Sequence, residues 1–101
     1  MKAVRVLYTV QNDYIEENKK KVEAVMKALR EQPIEGMFYA TYQLPDGNSF
    51  MHLNVARSPE ILSKLNEVEA FNQFRMGLKQ SGPISPPKAE DLNLIGLNWE
   101  I

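Results

Sequence analysis

The segment GMFYATYQLPDGNSFMHLNVAR, residues 36–57, decides the fold because two apolar stretches flank a short turn. Pro45-Asp46-Gly47 is typical of a type I turn followed by a glycine in the left-handed conformation, which closes a three-residue hairpin loop. The segment therefore predicts a β-hairpin with one strand from Gly36 to Leu44 and the other from Ser49 to Arg57.

The length of this loop determines which residues face each other across the hairpin. A three-residue loop pairs Leu44 with Asn48, and a slip of one residue would move every side chain to the opposite face. One face is then predicted to hold Phe38, Ala40, Tyr42, Leu44, Phe50, His52 and Asn54, with Tyr42 opposite Phe50, Ala40 opposite His52 and Phe38 opposite Asn54. We expect the other face to be covered by helices and to hold Met37, Tyr39, Thr41, Met51, Leu53 and Val55.

Upstream of the hairpin, the chain predicts a strand and then a helix. The strand runs from Ala3 to Val10 and is expected to be central in a sheet, because it is apolar on both faces. The helix is predicted to begin at Asp13, which has capping-box spacing to Glu16. It is expected to end at Gln32-Pro33, since the residue before a proline avoids helical dihedral angles.

Downstream of the hairpin, the pattern predicts a second helical region and a last strand. Ser58-Pro59-Glu60 combines a capping serine, a first-turn proline and an acid, which together are typical of a helix start. The apolar stripe rotates over residues 67–70, which predicts a bend or restart, and the helix is expected to end at Ser81-Gly82. Residues 83–87 are predicted to be an extended loop, and Leu92 to Ile101 the last strand.

The resulting order is β-α-β-β-α-β, which predicts a ferredoxin-like α+β domain with a four-stranded antiparallel sheet. A chain of 101 residues has the length of one domain, so residues 1–101 are expected to form a single unit. Helices cover one face of such a sheet. In the predicted register Phe38, Tyr42 and Phe50 lie on the other face, and a second copy of the chain would bury them. We therefore expect a homodimer in which two sheets pack face to face.

Composition excludes several classes of function. Twelve Lys and Arg against thirteen Asp and Glu give a net charge of −1, which supplies no electrostatic attraction to nucleic acid or to an anionic membrane. No apolar run approaches the roughly 18 residues of a membrane helix, and no secretory signal peptide is evident. The chain has no cysteine, which removes disulfides and thiolate chemistry and leaves a cytoplasmic location as the expectation.

Several short motifs carry a resemblance to a known family. They are the strand text Phe50-Met51-His52-Leu53, the helix text Glu69-Ala70-Phe71-Asn72-Gln73-Phe74, and Pro86-Pro87 followed by the run from Glu90 to Gly96. With the βαββαβ order, they make nearly the whole chain resemble the dimeric α+β barrel superfamily, and within it the small proteins similar to antibiotic biosynthesis monooxygenases. The resemblance implies a homodimer that oxidises a small phenol- or quinol-type aromatic in the barrel interior, without metal, flavin or another cofactor.

His52 is the candidate catalytic residue, because it is the only histidine of the chain and the one side chain expected to titrate near neutral pH. The predicted register places it in the barrel interior beside Asn54, so that His52 would act as a base or hydrogen-bond donor and Asn54 as a donor. A metal site is not expected, because no carboxylate lies on the strand of His52. The predicted substrate-binding residues are Phe38, Tyr42, Phe50, Tyr8, Trp99 and Arg5.

Each of these residues also has a structural interpretation. His52 can be bonded to a strand neighbour or across a dimer interface, and the aromatic residues can be core or dimer contacts. Arg5 can pair with an acid such as Glu100 on the last strand, because a cation on a central strand needs a partner. The corresponding alternative function is a non-catalytic homodimeric barrel that binds a small ligand or is purely structural.

Overall fold

A computed structural model describes residues 1–100 of the chain. The strands are β1 (Lys2–Thr9), β2 (Met37–Gln43), β3 (Ser49–Ala56) and β4 (Ser85–Leu92), the helices are α1 (Ile15–Glu31), α2 (Pro59–Ser63) and α3 (Glu69–Gln80), and 3-10 turns lie at Asn12–Tyr14 and Lys64–Glu67.

The four strands form one antiparallel sheet in the order β2-β3-β1-β4. α1 and α3 pack against each other on one face of this sheet. The predicted βαββαβ order and ferredoxin-like α+β class are therefore confirmed. Within residues 1–100, no helix combines the length and the apolar character needed to cross a membrane.

The predicted hairpin register is wrong by one residue. The loop has four residues, because the Leu44 amide donates to the Ser49 carbonyl rather than pairing with Asn48. The Asp46 carboxylate accepts from the amides of Asn48 and Ser49 at 3.2 and 2.9 Å and stabilises this longer loop. The main chain of Asn48 is paired instead with Val10, whose amide donates to the Asn48 carbonyl.

The slip reverses the two faces of the hairpin. The side chain of His52 lies with Phe50 and Asn54 on the face covered by the helices, where Phe50 joins the core around Tyr8. Tyr39, opposite Asn54, shares this face. The uncovered face holds Phe38, Tyr42, Met51 and Leu53. The expectation that Met51, Leu53 and Val55 meet the helices is therefore wrong. The expectation that Phe38 and Tyr42 share a face with His52 is wrong as well.

The helix starts differ in how they are capped. The Ser58 hydroxyl accepts from the Ile61 amide at 3.2 Å, so the predicted cap of α2 is confirmed. The predicted bend over residues 67–70 is also confirmed, since a 3-10 turn separates α2 from α3. The capping box at Asp13 is wrong. The chain enters α1 through a 3-10 turn in which the Tyr14 amide bonds to the Gln11 carbonyl, and α1 has no side-chain cap at its N-terminus.

The last strand begins earlier than predicted. β4 includes Pro86 and Pro87, which the sheet accommodates because β4 is an edge strand. Ion pairs with β1, including Arg5 Nη2 to Glu90 Oε1 at 2.7 Å, support its register. Residues 93–100 leave the sheet, so the expected strand from Leu92 onward is wrong over this part, and Ile101 lies outside the described residues. Of its alternating apolar residues, Trp99 contacts Phe38 on β2, whereas Ile95 is 91% exposed.

Replacing Gly47 by Ala is expected to lower the free energy of unfolding by about 1 kcal/mol. Gly47 has a φ of +86°, and no atom lies within 4 Å of the position that a Cβ would take, so the cost comes from the backbone conformation alone. Gly47→Asn should cost less, because asparagine tolerates the left-handed region. Urea unfolding of the two variants measures the difference, and an equal or reversed order would contradict this explanation.

Candidate functional site

His52 lies near the middle of β3 and projects toward α3. Its ring is 3% exposed and packs against the ring of Phe74 on α3, with 5.0 Å between the centroids. The rings of Tyr8 on β1 and Tyr39 on β2 pack against it from the neighbouring strands, at 5.3 and 5.6 Å. Three strands and a helix therefore hold the imidazole in one position.

Both ring nitrogens of His52 have hydrogen-bond partners. The Tyr8 hydroxyl lies 2.8 Å from Nε2, and the Tyr39 hydroxyl lies 2.6 Å from Nδ1. The Thr41 hydroxyl is a further partner of Nδ1, at 3.2 Å. Asn18 on α1 is fully buried and donates from Nδ2 to the Tyr8 hydroxyl at 2.9 Å. A continuous series of hydrogen bonds thus connects α1, β1, β3 and β2.

This chain of hydrogen bonds can run in either of two directions, because a neutral imidazole has one donor and one acceptor nitrogen. If Tyr8 donates to Nε2, the Nδ1 proton points at Tyr39 and the Tyr39 proton is left for another acceptor. If Tyr39 donates to Nδ1, its oxygen is left to accept from another donor. The Tyr39 hydroxyl can therefore either donate to or accept from a molecule beside it.

Burial keeps the three ring side chains uncharged at neutral pH. Desolvation lowers the pKa of His52 from 6.5 to about 4, so the expectation that it titrates near neutral pH is wrong. Desolvation also raises the pKa of Tyr8 and of Tyr39 well above the ordinary value for tyrosine. The site consequently presents neutral hydrogen-bonding groups in a largely apolar surrounding.

Lowering the pH from about 7.5 to about 5 is expected to reduce the free energy of unfolding by about 2 kcal/mol through His52. The unfolded chain regains the ordinary pKa of 6.5, so between that value and about 4 the unfolded state binds the proton more tightly than the folded state. His52→Gln removes this contribution while leaving the titration of the carboxylates in place. Urea unfolding of both proteins at the two pH values measures the difference, and identical pH dependence would show that His52 is not the group involved.

A cavity of about 600 Å³ opens beside His52, between the sheet and α3. Its buried floor is formed by Tyr8, His52, Asn54, Phe74 and Leu78. Val6, Tyr39 and Phe71 form half-buried walls, and the exposed rim consists of Arg75, Lys79, Pro86, Pro87 and Ala89, with Pro83 beside them. The volume falls within the range of small-molecule sites, and the lining is largely apolar with a few polar groups, as such sites usually are.

Asn54 adds a polar atom without a partner to this region. The residue is 7% exposed and lines the cavity, and its Oδ1 is buried without a hydrogen bond. A buried acceptor without a partner is costly, so a donor on a bound molecule would stabilise it. Among residues 1–100, no group of three His, Asp or Glu side chains is placed to hold a metal ion.

The structure brings together only part of the predicted site. Tyr8, His52 and Asn54 line one cavity, and Phe50 lies behind Tyr8 in the core, with its ring stacked on the Tyr8 ring at 5.7 Å. This cavity lies between the sheet and the helices, so the predicted position of His52 between two packed sheets is wrong. The remaining predicted residues, Phe38, Tyr42, Trp99 and Arg5, belong to the uncovered face.

The residues of the uncovered face have partners of their own. The ring of Trp99 packs against the ring of Phe38, with 5.2 Å between centroids. Arg5 pairs with Glu90 on β4 rather than with the expected Glu100, and the arginine beside it lowers the pKa of the Glu90 carboxyl. Tyr42 is 49% exposed.

Sequence reasoning missed several residues that line the cavity or contact His52. Tyr39 and Thr41 were assigned to the opposite face from His52 because the loop was counted one residue too short. Phe71, Phe74 and Leu78 line the cavity from α3, and the sequence marks this stripe only by its rotation over residues 67–70. Counting the loop with the Asp46 side chain as a cap would have placed Tyr39 beside His52.

Comparisons with known proteins agree with this architecture. The Rv0793 protein of Mycobacterium tuberculosis superposes with a TM-score of 0.81 at 16% identity, over 97% of this chain and 98% of that one. A protein of Nitrosomonas europaea named as a candidate antibiotic biosynthesis monooxygenase gives 0.81 at 16% identity, over 95% and 100% of the two chains. One of Bacteroides thetaiotaomicron, named in the same way, gives 0.82 at 8% identity, over 99% and 94%.

The chain has the antibiotic biosynthesis monooxygenase fold. The resemblance to this group of proteins, inferred from the sequence, is confirmed at the level of the fold. No sequence family and no curated protein matches the chain. The similarity therefore concerns the fold of the chain and not the role of its cavity.

Proposed function

We propose that this chain is one subunit of a homodimer that binds a small phenol- or quinol-type aromatic in the His52 cavity and oxidises it with molecular oxygen. The observation that carries the proposal is the Tyr39 hydroxyl, which lies 2.6 Å from Nδ1 of a neutral histidine beside a largely apolar cavity. Such a hydroxyl can bind the oxygen atom of a phenol while the apolar walls hold its ring.

The first chemical step is ionisation of the substrate hydroxyl. Its proton passes to the Tyr39 oxygen while the Tyr39 proton moves to Nδ1 of His52. Although burial keeps the pKa of His52 low in the empty site, the anion formed beside it raises that pKa, because opposite charges stabilise each other. Tyr39 then donates to the new oxyanion, as an oxyanion-hole donor does.

Oxygen transfer follows from the substrate anion and needs no further redox partner. The anion gives one electron to molecular oxygen, and the two radicals combine at a ring carbon to form a peroxide anion. This anion takes back the proton that His52 held, and the hydroperoxide loses water to become a carbonyl. One oxygen atom enters the product, the other leaves as water, and the substrate loses two hydrogen atoms.

Oxygen consumption tests this proposal. The purified chain, treated with a chelator and free of flavin, is mixed with anthrones, naphthols and naphthoquinols in an oxygen electrode, with boiled protein as the control for spontaneous oxidation. We expect protein-dependent uptake and incorporation of labelled oxygen into the product for at least one of these classes. Binding without uptake across the panel would instead support a ligand-binding barrel without catalysis, the interpretation favoured by the fact that both His52 nitrogens already have partners.

The homodimer is proposed from the uncovered face of the sheet. Leu7 on β1 and Tyr42 on β2 flank Met51 on this face and are 36% and 49% exposed, and Leu92 on β4 is 38% exposed. A second copy would remove this surface from water. Light scattering on a sizing column is expected to give about 23 kDa, twice the 11.6 kDa of one chain. A stable monomer would contradict the dimer but leave the His52 cavity, which belongs to a single chain, intact.

A further inference from the structure

Two cations lie side by side at the rim of the His52 cavity. Arg75 and Lys79 both line the cavity and both are exposed. They are four residues apart on α3 and therefore lie on the same face of the helix. No acidic side chain lines the cavity among the residues that the structure describes.

Arg75 is held in position above the opening. Its Nη2 donates to Asn72 Oδ1 at 2.6 Å, and its guanidinium lies 4.8 Å from the centroid of the Phe71 ring. Phe71 itself is a wall of the cavity, so the stacking orients the cation over the same space. Neither Arg75 nor Lys79 forms an ion pair with an acid within residues 1–100, which leaves both charges available to a ligand.

The cavity therefore offers two kinds of polar group on a largely apolar lining. The Tyr39 hydroxyl and the partnerless Asn54 Oδ1 are neutral and lie on its half-buried wall and buried floor, and positive charge lies at its exposed rim. An uncharged aromatic would leave the rim cations without a role. An aromatic that carries both a hydroxyl and an anion would satisfy both kinds of group.

We propose that the ligand of the His52 cavity is a hydroxylated aromatic carboxylate whose carboxylate is bound by Arg75 and Lys79. The proposal rests on the proposed function only in placing the ligand in this cavity. A guanidinium matches the two oxygens of a carboxylate, and Lys79 adds a second charge beside it. The apolar walls between the rim and the floor contact the ring.

A matched pair of probes tests this inference with the full chain. The probes are 6-hydroxy-2-naphthoate and its methyl ester, which share ring and hydroxyl but differ in charge. Calorimetric titration is expected to give the carboxylate about tenfold tighter binding than the ester. Raising the salt to about 0.5 M should weaken binding of the carboxylate and leave that of the ester unchanged.

The double variant, in which both Arg75→Gln and Lys79→Gln are introduced, should abolish this tenfold preference for the carboxylate without changing the affinity for the ester. Lys20→Gln is the matched control, because Lys20 is an exposed cation on α1 that does not line the cavity and it should keep the full preference. Equal affinities for both probes in the unaltered chain, or a preference that survives the double variant, would overturn the proposal.

The single histidine of the chain reports where each probe binds. Its imidazole gives one set of proton resonances, and both probes are expected to shift it. If both probes shift the His52 resonance with equal affinity, the cavity binds aromatics and the carboxylate preference is wrong. If neither probe shifts it, the proposed ligand site itself is wrong, so the two failures are distinguishable.

Discussion

Replacing Phe50 by Ala is expected to lower the free energy of unfolding by about 3–5 kcal/mol, the range for truncation of a buried phenylalanine. Phe50 is 2% exposed, and its ring stacks on Tyr8, which in turn contacts His52 and Phe74. The truncation leaves a cavity where strand β3 meets the helices, and the surrounding rings can fill it only in part. Urea or thermal unfolding measures the loss.

Phe50→Leu is the companion variant, because it keeps most of the apolar volume and is expected to cost a smaller part of this stability. It also keeps the experiment informative if the alanine variant does not fold. A loss well below 1 kcal/mol for Phe50→Ala would mean that Phe50 is not packed in the core.

Tyr39→Phe is expected to lower kcat for oxygen-dependent turnover by about 100-fold, the usual effect of removing one oxyanion donor. The substitution removes only the hydroxyl that lies 2.6 Å from His52 Nδ1, so the ring still packs against Phe71 and the cavity keeps its shape. Binding of the aromatic probe should change much less than kcat, because the walls of the cavity are unaltered. Oxygen uptake and calorimetry together separate the two effects.

Tyr42→Phe is the matched control for this substitution. Tyr42 lies on the same strand and loses the same atom, but its side chain projects from the opposite face and is 49% exposed. It is expected to retain the activity of the unaltered chain. Equal losses in the two variants, or full activity in Tyr39→Phe, would remove Tyr39 from the mechanism and favour a structural role for the series of hydrogen bonds around His52.

The hairpin shows which features local sequence signals predict and which they do not. Pro45-Asp46-Gly47 predicted the turn and its left-handed glycine correctly, because these residues restrict their own backbone. The register depended on one further residue, Asn48, whose main chain pairs with Val10 on a distant part of the chain. The Asp46 cap on the amides of Asn48 and Ser49 is a local signal for the longer loop. The pairing with Val10 is a tertiary contact, and a count of turn residues does not contain it.

The one-residue error in the register also affected the prediction of the candidate site. Tyr8, His52 and Asn54 line one cavity, but it lies between the sheet and the helices and not between two packed sheets, where the sequence placed His52 and Asn54. Tyr39 was assigned to the wrong face, and Arg75 was not considered because it is one of many charged residues on helix surfaces. Only the packing of α3 over the sheet places its guanidinium above the cavity.

The sequence by itself determined the order of the elements, the turn, the cap at Ser58 and the balanced charge of this protein. These properties depend on residues within a few positions of one another, where backbone preferences act directly. Only the tertiary structure decided which face of the sheet meets the helices, because a strand alternates its side chains and a shift of one residue exchanges the two faces. His52, with its two tyrosine partners, lies at the floor of a cavity for that reason.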